Sequence, residues 1–147
     1  MVGAIVSVGE GFHDVREAGR RQVRRVELPN DARSVKVARD TVAGALAVMG
    51  WPDHAIDRAR VVASELVTNA VLHTTSNVEL TVRVDDVCFI EVSDDAPAEL
   101  PQLAEPGELR PGGMGLYLVE ALASEWGVER DPGRKVVWAR MAPHALD

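Results

Sequence analysis

A carboxylate, an amide and an imidazole recur at four-residue spacing in one apolar stretch, at Glu65, Asn69 and His73. At about 100° of rotation per residue, a helix would align these three side chains in one polar stripe. The apolar neighbours of the stripe are Val61, Val62, Ala63, Leu66, Val67, Ala70, Val71 and Leu72. Because burying a polar group without a partner is costly, the stripe either forms hydrogen bonds within a core or lines a ligand cavity.

Three parts of the sequence could together form a nucleotide site. Asn69 offers an amide oxygen to a hard cation such as Mg²⁺, and Glu65 could accept a proton from an attacking hydroxyl or water. Asp94 ends a strand-like run, where its carboxylate could accept a hydrogen bond from an exocyclic amine such as that of adenine. The glycines of Gly113-Met114-Gly115 precede a predicted helix, whose free N–H groups favour phosphate. Each part also has a structural explanation, as a core carboxylate or amide, a turn former or turn glycines.

Composition limits the function classes that this chain can serve. Its 147 residues suit one domain, and the net charge of −7 argues against direct, non-specific nucleic-acid binding. The single cysteine, Cys88, excludes an internal disulfide and a cysteine-cluster metal site. No apolar run approaches the roughly 18 residues that a membrane-spanning helix needs. We therefore expect a cytoplasmic protein without a membrane anchor.

The first half of the chain has the pattern of an arm, a strand and two helices. We expect residues 1–20 to form a mobile N-terminal arm and residues 21–147 to form the domain. Residues 22–28 alternate and end at Pro29, which predicts an edge strand. A helix capped by Asp31 is expected to run to about Met49, and a second helix, capped by Asp53, from about His54 to His73 or Thr74.

The second half has the pattern of two hairpins separated by a long segment and a helix. Strands are predicted over residues 78–84 and 87–93, joined at Asp85 and Asp86. The proline-rich segment 94–113 is predicted to form a lid, because long irregular segments within domains are usually functional or disordered. A helix over residues 116–124 and a closing hairpin, 126–129 with 135–141, complete an α+β fold with helices on one face of a mixed sheet.

Three motifs, taken together and in order, resemble those of the Bergerat-fold (GHKL) ATPases, and more closely the small bacterial anti-sigma-factor serine kinases. The run Glu65-Leu66-Val67-Thr68-Asn69-Ala70 is similar to the N box of that family. Val92-Ser93-Asp94-Asp95-Ala96-Pro97-Ala98 is similar to its first glycine box, and Gly113-Met114-Gly115-Leu116 to its second. The resemblance covers roughly residues 22–141.

The resemblance implies a fold, a reaction and partners. The fold is a two-layer α/β sandwich with a mixed, mostly antiparallel sheet, and the cofactors are ATP and Mg²⁺. Glu65 would be the general base, Asn69 the Mg²⁺ ligand and Asp94 the adenine partner. The residues expected to contact the nucleotide are Asn69, His73, Asp94, Ala98, Arg110, Gly112, Gly113, Met114, Gly115 and Leu116. Anti-sigma members typically dimerise, bind a sigma factor and phosphorylate a serine on a small antagonist protein.

The chain also departs from the family pattern. Ala96 and Ala98 replace the two glycines that usually follow the aspartate of the first glycine box, and Val136 falls where relatives often place a threonine near the adenine. Arg110 is the one basic residue of the predicted lid. These departures keep a second interpretation open, a non-catalytic partner-binding regulator with a weak or degenerate nucleotide site. A third, the detached catalytic domain of a histidine kinase, lacks a helix pair with an acceptor histidine.

Overall fold

The structure, a computed structural model, describes residues 6–8, 11–13, 15–16, 21–95 and 113–144. The strands are β1 (Val6–Val8), β2 (Gly11–His13), β3 (Val15–Arg16), β4 (Gln22–Leu28), β5 (Val78–Val84), β6 (Cys88–Asp94), β7 (Glu125–Asp131) and β8 (Arg134–Met141). The helices are α1 (Ser34–Val48), α2 (Asp53–His73) and α3 (Gly113–Leu122). Of the predicted lid, residues 94–113, the structure describes only Asp94, Asp95 and Gly113.

Six of the strands form one sheet in the order β3-β4-β5-β6-β8-β7, while β1 and β2 pair with each other. Helices α1 and α2 contact β4, β5, β6 and β8, and α3 packs against α2 and β7. The expected α+β two-layer architecture is therefore confirmed. The expectation of a mixed sheet is refined, because every strand pair within the described residues is antiparallel.

Strand β4 differs from its predicted place at the edge of the sheet. It pairs with β5 along its whole length, and β3 covers its first two residues, Gln22 and Val23. Strands β1, β2 and β3 all fall within the range assigned to the N-terminal arm. The division of the chain into that arm and a domain over residues 21–147 stays a prediction.

Helix α1 buries one apolar face against the rest of the domain, and its residues Ala38, Val42, Ala45 and Leu46 are all inaccessible to solvent. The helix ends at Val48, and the chain turns away from it at Gly50, whose φ of 78° suits glycine far better than other residues. The two N–H groups that follow the helix turn back onto its last turn: Gly50 N donates to Ala47 O and Trp51 N to Leu46 O, each at 3.0 Å. This Schellman arrangement satisfies carbonyls that would otherwise lack partners.

Neither predicted helix cap is formed. Helix α1 begins at Ser34, after Arg33, and no side chain caps it. Asp31 instead accepts the backbone N–H of Arg33 at 2.8 Å and its guanidinium at 2.7 Å, an alternative that short polar side chains readily adopt before a helix. The N-cap of α2 is Pro52, so Asp53 lies within the first turn. There its negative charge interacts favourably with the positive end of the helix dipole.

The interior joins the helices to one face of the sheet. Its largest fully buried side chains include Leu28, Leu46, Leu66, Leu80 and Ile90. Cys88 belongs to this core, and burial raises the pKa of its thiol to about 12. Among the described helices, none is long and apolar enough to span a membrane.

Candidate functional site

Helix α2 carries the polar stripe on the border between its buried face and solvent. On one side of the stripe, Val61 and Leu72 are 37% and 50% exposed, whereas the sequence pattern suggested apolar surroundings on both sides. Asn69 is only 4% exposed, and Glu65 is partly exposed. The stripe therefore lies at the rim of the helical layer, where a ligand can reach it, and not inside a sealed core.

Glu65 has the electrostatic character of a base. Partial burial raises the pKa of its carboxyl above the usual value, and no neighbouring charge contributes a resolved shift. Burial disfavours the charged form of a carboxylate, so the ionised group binds a proton more strongly than an exposed one. This direction of shift suits proton abstraction from a hydroxyl.

Asn69, one turn further along α2, is 4% exposed, and its amide atoms are not among the fully buried polar atoms that lack a hydrogen-bond partner. An amide can donate two hydrogen bonds and accept two, and leaving it unsatisfied costs about 1–3 kcal/mol. At the rim of the helical layer the Asn69 amide can therefore offer its oxygen to a ligand or an ion. An amide oxygen in this position fits Mg²⁺, which prefers oxygen ligands and keeps several waters.

The described residues contain no group of three or more His, Cys, Asp or Glu side chains that could hold a metal ion. A magnesium ion at Asn69 would therefore draw its other ligands from water and substrate, as it commonly does in sites that bind phosphate groups.

The C-terminal end of α2 is tied to the end of β6 by a polar cluster. The Asn30 side chain donates to the carbonyl oxygens of Thr74 at 2.8 Å and Ser76 at 3.2 Å. The hydroxyls of Thr74 and Ser76 both donate hydrogen bonds to the Asp95 carboxylate. These hydrogen bonds lower the pKa of the Asp95 carboxyl, and the one from Ser76 has the larger effect. His73 is the last residue of α2, directly before this cluster, and is partly exposed.

Asp94 ends β6 on the face of the sheet that packs against the helices. Its side chain is 1% exposed, and its Oδ2 lies 3.8 Å from Nζ of Lys135, whose side chain is 3% exposed. The two residues are direct partners in the pairing of β6 with β8. Asp94 was predicted from the sequence and Lys135 was not, although Lys135 alternates with the buried Val137, Ala139 and Met141.

Val136 does not lie beside Asp94, so the expectation that it replaces an adenine-side threonine is wrong. It pairs with Ser93, and successive residues of a strand point to opposite faces. Val136 shares the other face of the sheet with Glu91 and Trp138, where these side chains line a cleft of about 320 Å³. The residue of β8 that accompanies Asp94 is Lys135.

Helix α3 begins at Gly113, three residues earlier than predicted, so the glycines of the second motif form its first turn. Leu116 and Val119 are buried, and α3 packs against α2. The first N–H groups of a helix have no partner within it and favour phosphate. Ala98, Arg110 and Gly112 lie outside the described residues, and of Gly113, Met114 and Gly115 only the backbone is described. The individual roles of the site residues stay predictions.

Comparison with known proteins gives consistent matches over most of the chain. A family model described as "Histidine kinase-like ATPase domain" matches residues 28–141. A "Serine-protein kinase RsbW" of Staphylococcus epidermidis is 30% identical over 126 residues, which cover 74% of this chain and 79% of that protein. A protein of the same name from Listeria monocytogenes serotype 4a is 28% identical over 134 residues, covering 78% and 84%.

A solved structure has the same fold. The crystal structure of the RsbU and RsbW domains of a Mycobacterium tuberculosis protein aligns with a TM-score of 0.64 at 17% identity. The alignment covers 90% of this chain and 34% of that longer chain.

Proposed function

The chain belongs to the histidine kinase-like ATPase domain family, and on that premise we propose that it is an ATP-dependent serine protein kinase of the anti-sigma-factor type. The observation that carries the proposal is the placement of Glu65 one turn before the buried Asn69 at the rim of α2. The relatives named serine-protein kinase support the same reaction.

In this reaction Glu65 accepts the proton of the target serine hydroxyl. The serine oxygen bonds to the γ-phosphorus of ATP, the bond from that phosphorus to the β–γ bridging oxygen breaks, and ADP leaves. The raised pKa of Glu65 favours the proton transfer, and its partial exposure leaves the carboxylate accessible to an incoming protein substrate.

The remaining site residues bind and orient the nucleotide. Asp94 accepts a hydrogen bond from the exocyclic amine of adenine, and the first turn of α3 donates N–H groups to the phosphates. Asn69 would hold a Mg²⁺ ion, which supplies positive charge to the phosphate oxygens. The cluster of Asn30, Thr74, Ser76 and Asp95 fixes the end of α2 next to Asp94.

The proposed partners follow from the resemblance to the anti-sigma-factor serine kinases. We propose that the protein binds a sigma factor, phosphorylates a serine of a small antagonist of the anti-sigma activity, acts in the cytoplasm and forms a homodimer. The net charge of −7 suits a protein partner with a basic surface and does not suit direct nucleic-acid binding.

Phosphate transfer to a cognate antagonist tests the proposal. The protein is incubated with ATP, Mg²⁺ and the antagonist, and phosphoserine is mapped by mass spectrometry. We expect transfer by the wild type and a loss of about a hundredfold or more for Glu65→Gln. Asp57→Asn is the matched control, because it makes the same type of change at an exposed position of the same helix. Equal transfer by Glu65→Gln, or none by the wild type, contradicts the proposal.

A second candidate is a partner-binding regulator that holds nucleotide weakly or not at all. The buried ion pair between Asp94 and Lys135 favours it, since that carboxylate already has a charged neighbour at the position assigned to adenine. Calorimetric titration with ATP and Mg²⁺ distinguishes the two: partner binding without nucleotide binding supports the regulator, and micromolar ATP affinity with phosphate transfer supports the kinase.

A further inference from the structure

A buried cation adjoins the carboxylate to which we assign adenine recognition. Lys135 and Asp94 face each other across β8 and β6, and their side chains are 3% and 1% exposed. Lysine is almost never buried to this extent unless it is paired. The separation of 3.8 Å between Nζ and Oδ2 exceeds the roughly 2.7–2.9 Å of a charge-assisted hydrogen bond. The two side chains lie on the same face of the sheet at paired positions, so both can contact one edge of the same ligand.

We propose that Lys135 is a second base-recognition residue, whose ammonium donates a hydrogen bond to N1 of adenine while Asp94 accepts one from the exocyclic amine. The proposal rests on the assignment of Asp94 to the base in the proposed function. An ammonium group only donates and an ionised carboxylate only accepts. Adenine presents the complementary pair, an amine donor next to a ring-nitrogen acceptor, on one edge.

The register of β8 explains why Lys135 serves this role and its neighbour does not. Arg134 points to the opposite face, where its guanidinium contacts the Ser93 hydroxyl at 3.3 Å and Glu79 at 3.7 Å. Its side chain is 54% exposed. Arg134 therefore provides a matched control, a cation one residue away on the other side of the sheet.

The order of donor and acceptor predicts base selectivity. Guanine carries a carbonyl oxygen at the position of the adenine amine and an N–H at the position of N1, so both groups are reversed. With Asp94 at the first position and Lys135 at the second, guanine would place acceptor against acceptor and donor against donor. We therefore expect ATP to bind more tightly than GTP.

Calorimetric titration with two nucleotides tests the proposal. The probes are ATP and 1-deaza-ATP, in which a C–H replaces N1 and removes only the acceptor. We expect the wild type to bind 1-deaza-ATP about tenfold more weakly or worse, which is the size of one hydrogen bond to a charged group. Lys135→Met should bind both nucleotides equally, whereas Arg134→Met should discriminate as the wild type does. If Lys135→Met does not fold, the comparison of ATP with 1-deaza-ATP on the wild type and on Arg134→Met decides alone, because equal affinities for the two nucleotides overturn the proposal.

The outcomes separate this proposal from the proposed function. Equal affinities of the wild type for both probes overturn it. Retained discrimination in the Lys135 variant also overturns it, because a bound water would then be the donor to N1. In both cases ATP binding itself leaves the kinase proposal intact. Failure of the wild type to bind ATP at all overturns both.

Discussion

Replacing Asn69 by leucine is expected to stabilise the free protein while abolishing its function. Leucine keeps the γ-branched shape of asparagine and removes its polar atoms. Asn69 is 4% exposed, so its polar side chain has lost most of its contact with water in the free protein, and this loss opposes folding. We infer that the amide is retained for a ligand and not for stability.

The magnitude is bounded by the cost of a fully unsatisfied buried amide, about 1–3 kcal/mol. The larger volume of leucine offsets part of the gain, since overpacking is also destabilising. A net increase of about 1 kcal/mol in the free energy of unfolding is expected. For a domain of this size it corresponds to a rise of roughly 2–4 °C in Tm.

Urea denaturation and thermal unfolding without nucleotide measure the change, and calorimetry with ATP and Mg²⁺ measures the loss of binding. Ser34→Ala is the control, because Ser34 is equally buried but its hydroxyl donates to the carbonyl of Pro29 at 2.7 Å. That variant should lose about 1 kcal/mol. A destabilised Asn69→Leu variant, or one that binds Mg²⁺ and ATP as tightly as the wild type, would refute the reasoning.

Three further predictions concern packing, pH and thiol reactivity. A Cβ at Gly127 would lie 2.9 Å from a ring atom of Trp138, so Gly127→Ala should lower the free energy of unfolding by about 1–3 kcal/mol in urea titrations. Hydrogen bonds from Arg33 lower the pKa of Asp31 from 3.8 to about 2; this depressed pKa stabilises the fold above about pH 4, an effect lost as the pH falls towards 2. NMR titration should find a higher pKa for Asp31 in Arg33→Ala, which removes the guanidinium and keeps the backbone N–H of residue 33; an unchanged pKa would contradict the assignment. Burial raises the pKa of Cys88 to about 12, so iodoacetamide at pH 8 should label this thiol only after urea unfolds the protein. Labelling of the native protein at the rate of an exposed thiol would contradict this prediction.

Local pattern predicted most of the described fold. Strands β4 and β5 begin and end where the alternation of apolar and polar residues predicts. The long helix α2 was predicted from the 3.6-residue period of its apolar residues alone. Each of these elements buries one face, and burial of one face requires apolar residues at regular spacing in the sequence. The helix ends were harder, because Asp31 could either cap α1 or bond the next backbone N–H, and the two options differ little in local sequence.

The candidate site was predictable only in part, because its pairings join distant segments. The spacing of Glu65 and Asn69 placed them on one helical face, and this placement is confirmed. Lys135 could not be assigned to Asp94 without the register between β6 and β8, and a shift of one residue would have brought Val136 there instead. A register error of that size is the reason for the wrong assignment of Val136.

The central claim, that Glu65 acts as the base in phosphate transfer, is tested most directly by single-turnover transfer rates. The wild type and Glu65→Gln are compared at ATP concentrations that saturate both, so that differences in nucleotide affinity do not contribute. We expect Glu65→Gln to bind ATP normally and to transfer phosphate to the antagonist serine about 10²–10⁴-fold more slowly. Equal single-turnover rates for the two proteins would contradict it.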